Sequence, residues 1–251
     1  MDLKLNGKVA VISGSSRGIG FSIASALYNE GCKIILNGRH FKSLKKSAMM
    51  IDKNVDFVVA DVTKKTECKK LIKYAISKFG NIDILVCNVG DGRICNKISE
   101  KKSDWQKMLD LNLNSSINLI TESLSSLKKT SGSIICISSI AGLDTIGAPI
   151  SYSVAKSALN SYVKNSAKPF AKIGIRINAI APGNILFKGS TWEKKLKENE
   201  NKIFQMISNE VPMKRFGTPN EIAHLTTFIA SPLSSFITGN IIEVDGGQLK
   251  N

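Results

Sequence analysis

An apolar run, Val9-Ala10-Val11-Ile12-Ser13, passes straight into the loop Gly14-Ser15-Ser16-Arg17-Gly18-Ile19-Gly20, and that loop opens an apolar pattern through Ile23, Ala24, Ala26 and Leu27 that stops at Gly31. The first run has the length of a buried strand, and the second has helical spacing. Strand, glycine loop and helix in that order form the setting of a dinucleotide site. Glycines let the backbone turn tightly and come close to a pyrophosphate, which the free N–H groups at the helix start then bind. This constraint reaches beyond the loop, because a strand feeding a helix on a parallel sheet demands further strands beside it.

Those strands follow. Lys33 to Asn37, Phe57 to Ala60, Ile82 to Cys87, Ile134 to Ile137, Ile175 to Ile180 and Ile241 to Val244 are short apolar runs separated by helical patterns. The alternation predicts one α/β domain over residues 1–251, a doubly wound Rossmann-type parallel sheet of about seven strands with helices on both faces. A chain of 251 residues that is 43% hydrophobic is long enough to bury such a core. No apolar stretch approaches the length of a membrane span, and Met1-Asp2-Leu3-Lys4 starts no secretory segment. Cys32, Cys68, Cys87, Cys95 and Cys136 form an odd set without a C-x-x-C, so packed, reduced thiols in a cytoplasmic protein are expected. The two histidines, His40 and His224, stand apart from each other and from the cysteines, so no metal site is expected. A net charge of +15 raises the question of nucleic acid, but the lysines are scattered in pairs without interleaved aromatics, which reads as a solvated surface.

The stretch from Ser133 to Lys156 carries the candidate chemistry. A buried strand ends at Ser138-Ser139, a Gly- and Pro-bearing loop follows, and a helix from about Ser151 places Tyr152 and Lys156 one turn apart on one face. A hydroxyl at a strand end facing a Tyr–Lys pair can grip a carbonyl and protonate it. Tyr74 and Lys78 repeat the spacing mid-helix with no such hydroxyl upstream, and read as helix surface. A tyrosine working near neutrality needs its pKa brought down from about 10 at a cost of about 4 kcal/mol. One ammonium about 4 Å away supplies about that much at an effective dielectric near 20.

The loop spacing G-x-x-x-G-x-G together with the Tyr–Lys stretch resembles the short-chain dehydrogenase/reductase family, and the likeness runs from the first strand to Asp245-Gly246-Gly247. It implies an oxidoreductase that interconverts a ketone and a secondary alcohol by hydride transfer, with Ser139, Tyr152 and Lys156 catalytic. It further implies that Asn112 is catalytic, bending its helix and holding a water that links Lys156 to solvent. Cofactor contacts are implied at Gly14, Ser16, Arg17, Gly18, Ile19 and Gly20, at Asp61 (adenine) and Val62, and at Asn88 and Gly90, which stand where the family has N-N-A-G. Tyr152 and Lys156 (ribose), Pro182, Gly183 and Ile185 complete the set. Where relatives often place a Thr against the carboxamide, this chain has Asn184-Ile185-Leu186-Phe187.

An NAD site ends its second strand in Asp or Glu, which accepts from the ribose hydroxyl. Here that end reads Leu36-Asn37-Gly38-Arg39-His40, so Arg39, with Arg17, points to the 2′-phosphate of NADP(H) rather than to NAD(H). Trp192, Leu196, Ile203 and Ile207 at helical spacing, preceded by Ser190-Thr191, predict a helical substrate lid over about 183–215. A homotetramer is implied by the resemblance. Many relatives are 3-oxoacyl-acyl-carrier-protein reductases, so a 3-oxoacyl thioester and its acidic carrier are candidate partners. Sugar, steroid or other alcohol dehydrogenation stays open, as does a catalytically silent dinucleotide-binding scaffold or sensor.

Overall fold

Alternate residues of each central strand are buried on opposite faces of one parallel sheet, which is why the strands read as nearly unbroken apolar runs. The structure, a computed structural model, describes residues 1–92 and 99–249. Cys95 lies outside the described residues. Strands β1 (Val9–Ile12), β2 (Lys33–Gly38), β3 (Asp56–Val59), β4 (Ile84–Cys87), β5 (Ser133–Ile137), β6 (Arg176–Pro182) and β7 (Ile241–Val244) form a 7-stranded sheet in the order β3-β2-β1-β4-β5-β6-β7. Every neighbouring pair is parallel. The chain winds outward from β1 to β3, then crosses back so that β4 pairs with β1, with Ala10 opposite Ile84. That reversal opens a crevice at the C-terminal ends of β1 and β4, the place where such sheets bind ligands.

On one face Ile12, Val86 and Ile137 pack with Ile23 and Leu27 of α1 (Gly18–Asn29), Leu44 of α2 (Phe41–Ile51) and Ile222 and Ile229 of α9 (Pro219–Ala230). On the other, Val11, Leu85 and Cys136 meet Leu71 of α3 (Lys65–Phe79), Leu119 of α5 (Ser115–Thr130) and Leu159 and Val163 of α6 (Ile150–Ala171). The free thiols of Cys32, Cys68, Cys87 and Cys136 are all buried, and burial pushes those of Cys32 and Cys68 up to about 12. Among the described residues no helix is long and apolar enough to cross a membrane.

Three elements differ from the pattern read in the sequence. The helix that carries Asn112 is not one unbroken α-helix. It comprises α4 (Lys102–Leu109), a π-turn at Asp110–Asn114, and α5. Between β2 and β3 lies α2, which the periodicity did not single out. The expected lid helix is two, α7 (Thr191–Glu198) and α8 (Glu200–Glu210), split at Asn199, whose φ of −159° and ψ of 89° leave the helical region. Asn199 then caps α8 by accepting from the Lys202 N–H at 3.0 Å. The spacing of Trp192, Leu196, Ile203 and Ile207 survives the break because both helices bury that face in one small cluster with Val211 and Phe216.

Tyr74 sits on an exposed helix face with its hydroxyl on Asp56 at 3.0 Å, as its local sequence indicates. Helix α9 starts at Pro219 behind a capping box formed by Thr218 and Glu221. Glu221 accepts from the Thr218 N–H at 2.8 Å, and the Arg215 guanidinium bonds its carboxylate at 2.7 and 3.1 Å. The Arg215 bonds, joined by the Thr218 backbone bond, hold the Glu221 carboxyl at about 2.

Candidate active site

At the end of β5 the backbone of Ser139 is extended, and its Oγ accepts from the Ala141 N–H at 3.2 Å, opening a short 3-10 turn over Ile140–Gly142. This turn packs directly on α6. A Cβ at Gly142 would stand 2.7 Å from the Lys156 carbonyl carbon, so only glycine lets the two backbones approach. The Gly142 carbonyl accepts from Ser157 at 3.0 Å and Asn160 at 3.1 Å, which fixes α6 against the strand end. The face of α6 that carries Tyr152 and Lys156 is thereby held opposite Ser139.

Lys156 is 3% exposed, and its Nζ donates to the Ile137 carbonyl at 2.8 Å. Burial disfavours the ammonium and lowers its pKa from 10.5 to about 8. Nζ lies 5.9 Å from the centroid of the Tyr152 ring. Desolvation raises the Tyr152 pKa, the hydrogen bond with Ser139 draws it back down, and the nearby Asp91 carboxylate pushes it up. The sequence argument expected Lys156 to depress Tyr152. In the structure the ammonium donates to a backbone carbonyl and is itself disfavoured by burial, and the Tyr152 pKa is raised rather than depressed.

Behind Lys156, the chain leaving β4 passes through a gap that admits no side chain. A Cβ at Gly90 would stand 2.8 Å from Asn112 Oδ1 and 2.9 Å from Lys156 Nζ. Asn112 is fully buried at the π-turn. Its Oδ1 accepts from the Asp91 N–H at 3.0 Å, and its Nδ2 donates to the Asp91 and Met108 carbonyls at 3.1 Å each. Asn112 thus stands in a π-turn between α4 and α5, and its side chain staples the chain after β4 to the helix.

Along the cleft from Tyr152 lies the glycine loop. Gly14 and Gly18 have φ of +62° and +57°. A Cβ at Gly20 would stand 2.5 Å from Asn88 Nδ2, which donates to the Ser13 and Gly14 carbonyls at 3.0 and 3.1 Å. Helix α1 has no side-chain cap, so its first N–H groups turn toward the cleft. A bare, positively polarised helix start beside side-chain-free turns fits a pyrophosphate.

A continuous cleft of about 670 Å³ joins the two ends. Of the catalytic and cofactor-binding candidates from the sequence, all line it except Gly18, which lies beneath the Phe187 ring, and Asn112, which is buried behind Gly90. At the far end Arg39 stands with Gly38, His40 and Ser43. Arg17 lines the cleft too, and its Nη1 reaches across to the Gly189 carbonyl at 3.3 Å. Asp61 accepts at Oδ1 from the Thr63 N–H and hydroxyl at 3.1 and 2.8 Å. Pro182 ends β6, Gly183 and Ile185 follow it, and Ile185 bridges Gly217. The other described arginines are structural. Arg176 donates to the Ile229, Ser231 and Ile237 carbonyls, and Arg215 pairs with Glu221.

The sequence reading passed over Asp91 and Gly92, which enter the cleft beside Tyr152. A carboxylate three residues after a strand-end Asn was the available signal, but its placement depends on Asn112, twenty-one positions on. Phe187, read only as a departure, covers the glycine loop at Gly18.

Comparison with known proteins agrees with this geometry. A family model described as Enoyl-(Acyl carrier protein) reductase matches residues 14–248. The chain is 35% identical over 248 residues to a 3-oxoacyl-[acyl-carrier-protein] reductase of Rickettsia prowazekii, covering 98% of this chain and 99% of that one. It is 32% identical over 250 residues to the same-named protein of Thermotoga maritima, with 98% and 99% covered. Among solved structures, L-sorbose reductase from Gluconobacter frateurii, complexed with NADPH and L-sorbose, superposes with a TM-score of 0.94 at 30% identity over 100% of both chains. A 7α-hydroxysteroid dehydrogenase complexed with NADH and 7-oxo glycochenodeoxycholic acid gives 0.89 at 30% identity, covering 98% and 96%. With the sheet order, the glycine loop and the Ser–Tyr–Lys strand end all in place, the chain belongs to the short-chain dehydrogenase/reductase family.

Proposed function

We propose that the protein is an NADP(H)-dependent oxidoreductase that interconverts a ketone and a secondary alcohol. The observation that carries this reading is the convergence of Ser139, Tyr152 and Lys156 in one cleft with the uncapped start of α1. Ser139 holds the carbonyl oxygen, and Tyr152 protonates it as the alkoxide develops. A bound nicotinamide supplies the hydride. Lys156 holds the ribose, and Asn112 fixes the chain around Gly90 and Asp91 so that the Lys156 ammonium keeps its place.

The choice of NADP(H) rests on Arg39, and on Arg17 once it leaves Gly189, with Gly38 where an NAD site has its acid. Bonds to charged groups contribute about 1.5–3 kcal/mol each, so the pair predicts roughly 10²–10⁴-fold preference for the phosphorylated cofactor. Residues 183–215 serve as a lid over the reacting end, with Phe187 closing on the glycine loop. The active form is a cytoplasmic homotetramer.

Two substrate readings have support. The curated relatives favour a 3-oxoacyl thioester carried by an acidic carrier protein. A hydroxylated ketone is favoured by the likeness to L-sorbose reductase, whose structure with NADPH and L-sorbose superposes over the full length of this chain. The test is a panel (a 3-oxoacyl thioester, a ketohexose, cyclohexanone and a steroid ketone) with NADPH and NADH, followed by nicotinamide absorbance. Turnover of one class with NADPH preferred is expected. No turnover across the panel, or equal use of NADH, contradicts the proposal.

A further inference from the structure

Two residues that line the cleft, Asn37 and Ser138, carry a buried side-chain atom with no hydrogen-bond partner among the described residues. The sheet accounts for Asn37, whose Nδ2 donates to the Val58 and Ala60 carbonyls at 3.2 and 3.1 Å and so clamps β3 to β2. It does not account for the hydroxyl of Ser138, a residue only 4% exposed at the end of β5. Both neighbours of Ser138 are engaged. The Ile137 carbonyl accepts from Lys156 at 2.8 Å, and Ser139 Oγ accepts from the Ala141 N–H at 3.2 Å. The Ser138 backbone is half engaged, its N–H donating to the Ile180 carbonyl at 2.7 Å where Ile137 stands opposite Ile180. In a parallel ladder the Ser138 carbonyl would next accept from the N–H of residue 182. That residue is Pro182, which has no N–H, so β6 gives the carbonyl no bond.

One residue at the reacting end of the cleft thus offers a hydroxyl that can donate and a carbonyl that can accept. Withdrawing such groups from water without partners costs free energy, which a bound group that satisfies both returns. A ketone offers an acceptor alone. A primary amide matches both, with an oxygen that accepts and N–H groups that donate. The nicotinamide carries such an amide, attached to the ring atom next to the carbon that bears the hydride. We propose that Ser138 is a cofactor-binding residue that holds this carboxamide, its hydroxyl donating to the amide oxygen and its backbone carbonyl accepting from the amide N–H. Two bonds to the carboxamide fix the rotation of the ring about its bond to the ribose.

The inference rests on the nicotinamide-enzyme reading above and does not depend on which ketone is reduced. Calorimetric titration with NADPH and with adenosine 2′,5′-bisphosphate, which lacks the nicotinamide, tests it without turnover. Ser138→Ala should weaken NADPH roughly 3- to 10-fold, the loss of one net hydrogen bond, and leave the affinity for the bisphosphate unchanged. Retained bisphosphate binding also identifies a folded variant, and Ser138→Cys, close in size but a feeble donor, carries the test if Ser138→Ala is not folded. The Ser138 carbonyl is probed in the native chain by the 3-acetylpyridine analogue of NADP⁺, which keeps the oxygen and has a methyl group in place of the amide nitrogen. That analogue should bind several-fold more weakly than NADP⁺. Equal weakening of NADPH and the bisphosphate marks a structural role and overturns the assignment. So does an unmoved NADPH affinity with a raised KM for the ketone, which places the hydroxyl on the substrate instead. An analogue that binds as tightly as NADP⁺ overturns the part given to the carbonyl. A native chain that binds no dinucleotide sinks the broader reading, and the assignment of Ser138 falls with it.

Discussion

Burial holds the Lys156 pKa at about 8 against an ordinary 10.5, which makes this side chain a cost to folding at neutral pH. Between those two values the unfolded chain binds the proton that the folded chain has released, so stability rises with pH across that window. The gain is on the order of 3 kcal/mol. Lys156→Met removes the titration, and its thermal midpoint should exceed that of the native chain below pH 8, with the gap closing toward pH 10.5. A gap that stays constant with pH contradicts the burial argument. Cofactor choice is decided at the same scale. A Cβ at Gly38 would make ordinary contacts with Leu44 at 3.4 Å or more, so an acid is sterically admissible there. Gly38→Asp with Arg39→Ala adds an acceptor for the ribose hydroxyl and removes a partner of the phosphate. The ratio of NADPH to NADH affinity should drop by about 10-fold or more, and an unchanged ratio would place the discrimination elsewhere.

At the level of elements, the segment between β6 and α9 is held differently from the rest of the chain. Its helices share a small apolar cluster separate from the two large cores, and α7 buries no residue fully. It is tied at its base by the Ile185–Gly217 bridge and reaches the glycine loop through Arg17 and Phe187. Few buried contacts mark the parts of a fold that open first. NADPH should therefore slow proteolysis between Lys188 and Lys214 several-fold, whereas equal cleavage with and without cofactor argues against closure. This segment also shows where sequence pattern stops. Trp192, Leu196, Ile203 and Ile207 were legible as one apolar face, but the break at Asn199 was not, because an Asn costs a helix little unless its side chain finds a cap. The π-turn at Asn112 was not legible, since the bonds that Asn112 makes there run to the backbone of Asp91, outside its own helix.

For the whole molecule, alternating apolar runs and helical patterns were enough to predict a doubly wound sheet, because a parallel strand buried on both faces has almost no other reading. The strand order and the meeting of the β5 end with the glycine loop came from topology, not from any local signal. The half-buried β7 at the sheet edge, with exposed Phe236 and Leu233 nearby, is surface on which a second copy would be expected to pack. Light scattering at micromolar protein should give four times the chain mass, and a monomer contradicts the proposed tetramer. The central claim is that this cleft reduces a carbonyl with Tyr152 as proton donor, and it is tested most directly by Tyr152→Phe. The variant keeps the ring and removes only the transferable proton, while Lys156 remains for the ribose. With the best substrate of the panel, turnover should fall about 10²–10⁴-fold while NADPH affinity changes little, and Tyr74→Phe should be nearly silent. A Tyr152→Phe enzyme that retains most of its turnover would contradict the account.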